Sequence, residues 1–345
     1  MKVQDSIVDF SELEYKRELR DRALYPWSEA NYMMGGICRG ELIVIAGEPG
    51  SGKTTLTSNI VENMIKDGDK VMCVFGEGTM EDQQNKMYNQ MTPYNPNNYE
   101  YIKFNKNNKE TNIGGYFVSK GNEELIKSMT KGKLYLYGCE YGMTAERILE
   151  SMEYARANLG INYFVLDNLS QIDLITTSEN KELKDNMEQF RRWLIDKDTA
   201  IIALAHYRKP QEKQQIRRIL AEIMGTSAIG QKASTAFNII RTDNIDRTDK
   251  PYKSLVKILE ANGYDGDEID KASAIVEVLK TRYGKLGFFL LGFNRTTQTY
   301  FEIKKKNQKN KNSIVQNDDK PILYTQKEEQ LELITDQNLL DELPF

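Results

Sequence analysis

The segment from Gly47 to Thr54, GEPGSGKT, is the feature of the sequence that most constrains the fold. It matches the pattern G-x-x-x-x-G-K-[ST] and stands between an apolar, strand-like run at 41–47 and a helix-like run. Glycines let successive backbone N–H groups turn inward, and the following helix N-terminus adds partial positive charge. The segment therefore predicts a phosphate-binding loop, the P-loop, within an α/β fold.

In this P-loop the Lys53 ammonium would reach the β- and γ-phosphates of a nucleoside triphosphate, and the Thr54 hydroxyl would bind Mg²⁺. The expected cofactors are ATP or dTTP together with Mg²⁺. The alternative is a glycine-rich turn that binds no ligand. The predicted nucleotide-binding residues are Gly47, Gly50, Ser51, Gly52, Lys53, Thr54 and Thr55.

Further apolar runs alternate with helical stretches, which predicts a mostly parallel central sheet covered by helices. These runs are 70–77, 133–138, 161–169 and 199–206, followed by the later runs AFNIIR, SAIVEVLKTRYG and GFFLLGFNRTTQTYFEI. The later runs are expected to pair as hairpins. Residues 91–116 are rich in Asn, Tyr and Lys and are expected to face solvent in a conformation that the pattern does not assign.

Three of the strand-like runs end in side chains that suit phosphate chemistry. Asp167 would hold Mg²⁺ as a Walker B carboxylate. Glu77 would activate water beside the γ-phosphate, and His206, the single histidine, would hydrogen-bond that phosphate. The open alternatives are a helix-capping aspartate, a surface acid and a structural histidine.

Composition limits the classes of protein to which the chain can belong. A formal charge of −4, with 39% apolar and 28% charged residues, does not indicate a nucleic-acid binder, so any basic surface must be local. Cys38, Cys73 and Cys139 lack the spacing of a zinc site or a disulfide framework, which favours a reducing compartment. No apolar run approaches the roughly 18 to 20 residues of a membrane span. A cytoplasmic location without membrane contact is expected.

The two ends of the chain differ from its middle. Residues 11–24 have the pattern of a short amphipathic helix that stops before Pro26. From Lys304 a run with five lysines gives way to 313–345, where eight acids against two lysines give a net charge of −6, the composition of a flexible tail. The predicted divisions are an N-terminal linker helix in 1–26, one domain in 27–303 and a disordered tail in 304–345.

In order, these motifs resemble those of RecA-like motors, and specifically the hexameric replicative helicases of the DnaB class. The likeness runs from Trp27 to Ile303 and is strongest to the helicase half of phage primase-helicases and to Twinkle. The segments that carry it are PWSEANYMMGGICRGELIVIAGEPGSGKTTL, FGEGTMEDQ, LDNLSQ, AHYRKP and MGTSAIGQKASTAFNIIRTDN. In the last segment the family has Gly-Ser-Gly-Ala, and Ser227 replaces its second glycine.

The resemblance implies an NTP-hydrolysing replicative DNA helicase, a ring-shaped homohexamer that translocates 5′ to 3′ on single-stranded DNA and unwinds duplex. It implies that Glu77 is the catalytic glutamate and that His206 senses phosphate. Arg241 would be an arginine finger that reaches the nucleotide of a neighbouring subunit, or else an ordinary strand-end arginine. Lys280 and Arg282 match the last basic motif as nucleotide or interface contacts. The N-terminal helix would dock on an adjacent subunit.

A locally basic segment follows His206, with five basic residues against two glutamates before Gly225. Such a segment suits contact with a phosphate backbone, and the backbone N–H groups near Gly225 would also grip phosphates. A solvated basic loop is the alternative. The predicted DNA-binding residues are Lys209, Lys213, Arg217, Arg218, Gly225, Thr226 and Ser227.

Partners follow from the same resemblance. The chain shows neither a zinc-binding cysteine set nor a primase-sized N-terminal domain, so a separate primase is expected, in a phage or plasmid replicon within the bacterial cytoplasm. The acidic end of the tail closes on Leu343, Pro344 and Phe345 and resembles the tip of bacterial single-stranded-DNA-binding proteins. It would recruit a polymerase or another replisome protein, although a merely solubilising tail fits equally well.

Two other functions stay open at this point. One is a RadA/RecA-type recombination ATPase that binds single-stranded DNA without processive unwinding. The other is a P-loop kinase or a clock-type ATPase, against which the basic segment argues.

Overall fold

A computed structural model of the chain describes residues 9, 11, 21–91, 99–106, 109–116, 118–174, 179–208, 216–223, 227–243, 245–282, 284–295 and 297–306. The chain divides into two units, Met1–Ile303 and Lys304–Phe345. The strands and helices named below belong to the first unit.

Strands and helices alternate along the first unit. The strands within the described residues are β1 Arg22–Ala23, β2 Ile37–Cys38, β3 Leu42–Gly47, β4 Val71–Phe75, β5 Tyr99–Lys106, β6 Lys109–Tyr116, β7 Leu134–Gly138, β8 Tyr163–Asp167, β9 Ala200–His206, β10 Thr235–Arg241, β11 Ala274–Lys280, β12 Gly287–Asn294 and β13 Thr299–Ile303. The α-helices of the same residues are α1 Ser28–Met34, α2 Lys53–Asp67, α3 Met80–Met91, α4 Lys120–Thr130, α5 Ala145–Leu159, α6 Glu179–Asp196, α7 Ser227–Lys232, α8 Lys250–Ala261 and α9 Gly266–Lys271.

A nine-stranded sheet in the order β13-β12-β11-β10-β3-β9-β8-β4-β7 organises the unit. The six strands from β10 to β7 run parallel to one another. The strands β11, β12 and β13 continue the sheet as antiparallel pairs. The predicted α/β class, mostly parallel sheet and late hairpins are therefore confirmed.

Helices cover both faces of this sheet, and for that reason its central strands are apolar throughout. All six residues of β3 are buried. Because side chains alternate along a strand, Ile43 and Ile45 join one core cluster with residues of α2, while Leu42 and Val44 join another with residues of α5 and α6. Full burial of such side chains stabilises the fold by about 1.5–3 kcal/mol each.

The chain enters the domain as a strand rather than as the predicted helix. Residues 12–20 lie outside the described residues, but Arg22 and Ala23 form β1 and pair with β2, so the helix prediction for 11–24 is wrong at its end. Ala23 is 1% exposed and belongs to the main core cluster. Pairing with β2 satisfies the backbone while burying Ala23.

The last strand of the sheet caps the first helix of the domain. The backbone N–H of Ser28, its hydroxyl and the backbone N–H of Glu29 donate to the Glu302 carboxylate at 3.3, 2.5 and 2.6 Å. The indole Nε1 of Trp27 donates to the Tyr300 carbonyl at 3.2 Å. A carboxylate at a helix N-terminus satisfies free N–H groups and opposes the helix dipole. The two ends of the domain are thereby joined.

Within residues 91–116, to which the sequence assigned no conformation, β5 and β6 form an antiparallel hairpin with Ile102 opposite Ile113. The predicted tail from 307 onward lies outside the described residues. Among the helices that the structure describes, none is long and apolar enough to cross a membrane.

Candidate functional site

The predicted phosphate-chemistry side chains meet at one edge of the sheet. The strands β3, β9, β8 and β4 are neighbours in that order and run parallel, so their carboxyl ends lie side by side. Gly47 is in register with His206, and Phe75 with Asp167. Glu77 follows β4 by two residues. The strand order therefore assembles the P-loop, His206, Asp167 and Glu77 in one place.

The P-loop has a conformation that requires glycine at its tightest point. Gly52 caps α2 with a φ of 93°, in the left-handed region. A Cβ at Gly52 would also collide with the Tyr300 hydroxyl of β13. Tyr300 therefore lies directly over the start of α2, a contact that the sequence did not predict.

Lys53 is held inside the P-loop. Its Nζ donates to the carbonyls of Gly47 and Glu48 at 3.0 Å each and lies 3.1 Å from His206 Nδ1. Burial lowers the pKa of Lys53 to about 8, although the negative charge of Asp167 partly offsets this effect. To reach a phosphate, the ammonium must exchange these carbonyls for phosphate oxygens.

Thr54 and Asp167 form the pair that would hold Mg²⁺. Burial raises the pKa of Asp167, and a hydrogen bond with the Thr54 side chain opposes the rise. A hydroxyl and a carboxylate in contact fit an ion that takes its remaining ligands from phosphates and water. Within the described ranges no cluster of three or more Asp, Glu, His or Cys could form an all-protein cage.

A chain of hydrogen bonds runs from Glu77 to His206 through a residue that the sequence analysis did not select. Asn168 Nδ2 donates to Glu77 Oε1 at 3.0 Å and lies 3.3 Å from His206 Nε2. Asn168 Oδ1 accepts from the Ser170 N–H at 2.9 Å, which fixes how its amide is turned. Gln171 Nε2 donates to the same Glu77 oxygen at 3.2 Å.

Asn168 and Gln171 thus orient the carboxylate of Glu77. Their signal in the sequence was their place directly after Asp167, since a residue that follows a strand end lies at the same edge as that strand end. Burial and the nearby Lys53 ammonium lower the pKa of His206, so its imidazole is neutral near pH 7.

Arg241 lies on the other side of the P-loop. It ends β10, which pairs with β3, and its Nη2 is 3.1 Å from Asp243 Oδ2. A cavity of about 210 Å³ beside the P-loop is lined by Arg241, Glu48 and Ser51 among others. Arg241 is thus next to the P-loop of its own chain, and its predicted reach to a neighbouring subunit stays a prediction.

The two residues of the last basic motif differ. Lys280 Nζ donates to the carbonyls of Gly230 and Gln231 at 3.0 and 2.9 Å, so within its own chain it caps the end of α7. Arg282 is exposed. Their interface roles stay predictions.

Among the predicted DNA-binding residues, Lys209, Lys213, Gly225 and Thr226 lie outside the described residues, and Ser227 begins α7. Arg217 bonds Glu277 through Nε at 3.1 and 3.3 Å and through Nη2, with its guanidinium 5.4 Å from the Phe288 ring centroid. Its side chain is 46% exposed, so contact with DNA stays a prediction.

Arg218 requires a correction. Its side chain is only 2% exposed, and its Nη1 donates to Glu48 at 2.7 Å. A guanidinium buried in this way cannot contact DNA, so that prediction is wrong for the structure. The physical reason is that a buried cation needs an anionic partner. Glu48 lies 170 residues earlier, where a reading of the basic segment alone does not find it.

Comparisons with known proteins agree with this geometry. Residues 27–302 match the family model described as the DnaB-like helicase C terminal domain. A short stretch of 43 residues, 12% of this chain and 10% of the relative, is 49% identical to the DNA repair protein RadA of Campylobacter jejuni subsp. jejuni serotype O:2.

Three solved structures share the fold. A DnaB-like replicative helicase, studied with its primase interactions, has a TM-score of 0.63 at 16% identity over 82% of this chain and 62% of that one. The ATPase domain of G40P has a TM-score of 0.61 at 15% identity, over 82% of this chain and 92% of that one. The KaiC-like protein PH0186 from Pyrococcus horikoshii OT3 has a TM-score of 0.53 at 12% identity, over 83% of this chain and 99% of that one. The predicted RecA-like fold is thus confirmed, and the chain spans less than two thirds of the first of these proteins.

Proposed function

This chain belongs to the family of DnaB-like helicase C-terminal domains, and we propose that it is an NTP-dependent replicative DNA helicase. Membership in the family implies an NTP-hydrolysing enzyme. The observation that carries the proposal is the meeting of the P-loop, Asp167, Glu77 and His206 at one sheet edge. In the proposed assembly a homohexameric ring translocates 5′ to 3′ on single-stranded DNA.

The residues of one chain would prepare the triphosphate for hydrolysis. Lys53 leaves the carbonyls of Gly47 and Glu48 and binds the β- and γ-phosphates, which restores its full positive charge. Glu77, held by Asn168 and Gln171, accepts a proton from the attacking water. Mg²⁺ held by Thr54 and Asp167 would neutralise phosphate charge.

The His206 network would report whether the γ-phosphate is present. The ring of His206 contacts Lys53 on one side and Asn168 on the other, so a shift of Lys53 toward phosphate removes one of its two contacts. A neutral imidazole can then hydrogen-bond the phosphate without a second positive charge.

Subunit contacts complete the proposal. Arg241 would neutralise charge on the γ-phosphate bound by a neighbour, which contributes about 10³ to 10⁵ in rate where arginine fingers operate. The part of the segment 1–26 that precedes β1 would dock on an adjacent subunit, and Arg282 would face the same interface. ATP or dTTP would be the fuel.

The deciding experiment measures NTPase rate with and without single-stranded DNA, in wild type, Arg241→Ala and the control Arg247→Ala. Arg247 forms a similar ion pair, at 2.8 Å with Asp270, on the exposed surface. We expect strong DNA stimulation that only Arg241→Ala removes. A wild-type rate that DNA does not change would contradict a DNA motor.

Mixed oligomers decide how Arg241 acts, because the structure has it beside its own P-loop. Subunits with Lys53→Ala keep Arg241, and subunits with Arg241→Ala keep the P-loop. If Arg241 works across the interface, mixing the two inactive variants restores part of the activity. If it works within one chain, mixing restores none.

The RadA match favours one other function, a recombination ATPase that binds single-stranded DNA without processive unwinding. A forked duplex with a 5′ tail separates the two functions, because only the helicase unwinds it processively.

We further propose that a separate primase and polymerase, or another replisome protein, work with this chain in a bacterial cytoplasm, as in a phage. The solved DnaB-like helicase was described with its primase interactions. The acidic Pro-Phe end of the tail would be the contact for the polymerase. That end lies outside the described residues. Truncation after Thr335 would abolish a pull-down of that partner.

A further inference from the structure

The Arg218 guanidinium joins the P-loop, 170 residues earlier in the chain, to two residues near Arg218 itself. Its Nη1 donates to Glu48 Oε1 at 2.7 Å, its Nη2 donates to the Arg208 carbonyl, and its Nε lies 3.3 Å from Glu222 Oε2. Arg208 and Glu222 lie near the two ends of the basic segment that follows β9. One buried side chain therefore contacts both ends of that segment and the P-loop.

Packing holds the guanidinium in place. Its central carbon lies 4.9 Å from the centroid of the Tyr207 ring, and the side chain is 2% exposed. Tyr207 directly follows β9 and forms a bridge to Ile223 at the far end of the segment. A buried guanidinium that stacks on a ring and contacts two carboxylates has few alternative positions. A displacement of Glu48 is therefore expected to displace Arg218 as well.

Glu48 is itself tied to the group that binds phosphate. Its carbonyl accepts a hydrogen bond from Lys53 Nζ at 3.0 Å, and this bond must break when Lys53 turns to the phosphates. Pro49 restricts the backbone of Glu48 to extended conformations. The Glu48 carboxylate is held at its other end by Arg218, so a shift of the P-loop backbone pulls on this ion pair.

We propose that the Arg218–Glu48 ion pair is a positioning contact that couples the nucleotide state of the P-loop to the basic segment between Arg208 and Glu222. This inference rests on the proposed function and on the sequence prediction that this segment contacts single-stranded DNA. The coupling follows a series of contacts in space. Lys53 contacts the Glu48 carbonyl, and the Glu48 carboxylate contacts Arg218. Arg218 in turn contacts the Arg208 carbonyl and Glu222. Arg218 acts through these neighbours and touches no reacting atom.

The test uses Glu48→Gln, which keeps the shape of the side chain and removes its charge. Glu48 is 47% exposed, so this variant is expected to fold, whereas removal of the buried Arg218 risks misfolding. The control is Asp270→Asn, which breaks the exposed Arg247–Asp270 pair. For each full-length protein the NTPase rate at saturating single-stranded DNA is divided by the rate without DNA.

We expect Glu48→Gln to lower this ratio by about 5-fold or more, the range of typical coupling between sites, and Asp270→Asn to leave it unchanged. A second readout measures binding, because a contact that couples the two sites makes the nucleotide state change the affinity for DNA, and DNA then changes the affinity for nucleotide by the same factor. The dissociation constant of a dT oligonucleotide is measured once with a non-hydrolysable triphosphate bound and once with the diphosphate bound. In Glu48→Gln these two constants should become nearly equal, so that their ratio approaches one. A purely structural pair would change the melting temperature and leave both ratios alone.

Arg218→Lys provides the second variant, because it keeps the charge and loses the forked geometry. If the two residues act through each other, the double variant is no worse than the worse single one. Wild-type stimulation that survives in Glu48→Gln would overturn the inference alone. A wild type that DNA never stimulates would overturn the proposed function and the inference with it.

Discussion

The two sides of the P-loop differ in how their charged residues are arranged. On the side of β9, β8 and β4, Asp167, Glu77 and His206 lie at one edge of the sheet, where Asn168 links Glu77 to His206 and Asp167 bonds Thr54. On the side of β10, the cations Arg217 and Arg218 are held by glutamates of other elements. The first side brings the proposed catalytic groups together, and the second is arranged around its own ion pairs.

The difference shows what determines the position of a functional group. Parallel strands in register fix the place of whatever residue ends each strand, so a strand-end residue is located by the backbone. A cation in a connecting segment is located by the anion that it meets. For Arg217 that anion is Glu277, 60 residues away.

Glu77→Gln would test the ligand side with the largest effect. Loss of the general base lowers the NTPase rate by about 10² to 10⁴ while nucleotide binding is retained. Glu81→Gln, an exposed glutamate at the start of α3, is the control and should change the rate less than about twofold. Equal effects of the two variants would remove Glu77 from catalysis.

Arg217→Ala would test the ion-pair side. It leaves the buried Glu277 without its guanidinium, and we expect a loss of about 1–3 kcal/mol in the free energy of unfolding, measured by urea denaturation. Arg295→Ala, which removes an 85% exposed partner 3.9 Å from Asp243, should cost under about 0.5 kcal/mol.

The same Arg217→Ala protein sharpens the comparison through DNA binding. If Arg217 only pairs with Glu277, the slope of log affinity for single-stranded DNA against log salt stays unchanged. If it also contacts a phosphate, the slope falls by about one. The second result would confirm Arg217 as a DNA-binding residue.

Asn168→Ala should produce an intermediate effect on the ligand side. Without the hydrogen bond from Asn168, the Glu77 carboxylate loses its orientation, so kcat should fall about tenfold with little change in KM. Gln171→Ala serves as the comparison, because its bond to the same oxygen is longer, at 3.2 Å. A rise in KM instead of a fall in kcat would make Asn168 a binding residue.

The smallest effect concerns protons. The pKa of Lys53 is lowered to about 8 by burial, so above that pH most of the free protein has a neutral Lys53, and phosphate binding recharges it. Nucleotide binding near pH 8.5 should therefore take up a fraction of one proton, with less uptake at pH 7, where Lys53 is already protonated. Calorimetry in two buffers of different ionisation enthalpy measures this, and Lys53→Arg should abolish it.

The lowered pKa of Lys53 also makes the free energy of unfolding of the unliganded protein depend on pH. The folded-state pKa of Lys53 lies below its unfolded value, so the unfolded chain binds more protons between these two values. The cost of burying the ammonium is therefore present in full below pH 8 and declines as pH rises above it. Urea midpoints of wild type and Lys53→Met should converge over that interval.

Periodicity and loop chemistry predicted most of the fold and the ligand side of the site. The β3 strand, the P-loop and α2 follow from local sequence, because glycine, burial and helix initiation act within a few residues. Residues that act across distance were not predictable in the same way. Tyr300 reaches Gly52 only because β13 closes the far edge of the sheet, and Ala23 is extended only because β2 pairs with it.

The Glu302 carboxylate, which caps α1, has a consequence for engineering. Because Trp27 and Ser28 bond Tyr300 and Glu302, the first and last residues of the domain are adjacent in space. A short peptide could join residue 303 to residue 27, and new termini could be opened in an exposed connection such as residues 131–132, between α4 and β7. Circularly permuted versions of the domain would keep the strand order, so fluorescent reporters could be attached at positions far from both natural ends.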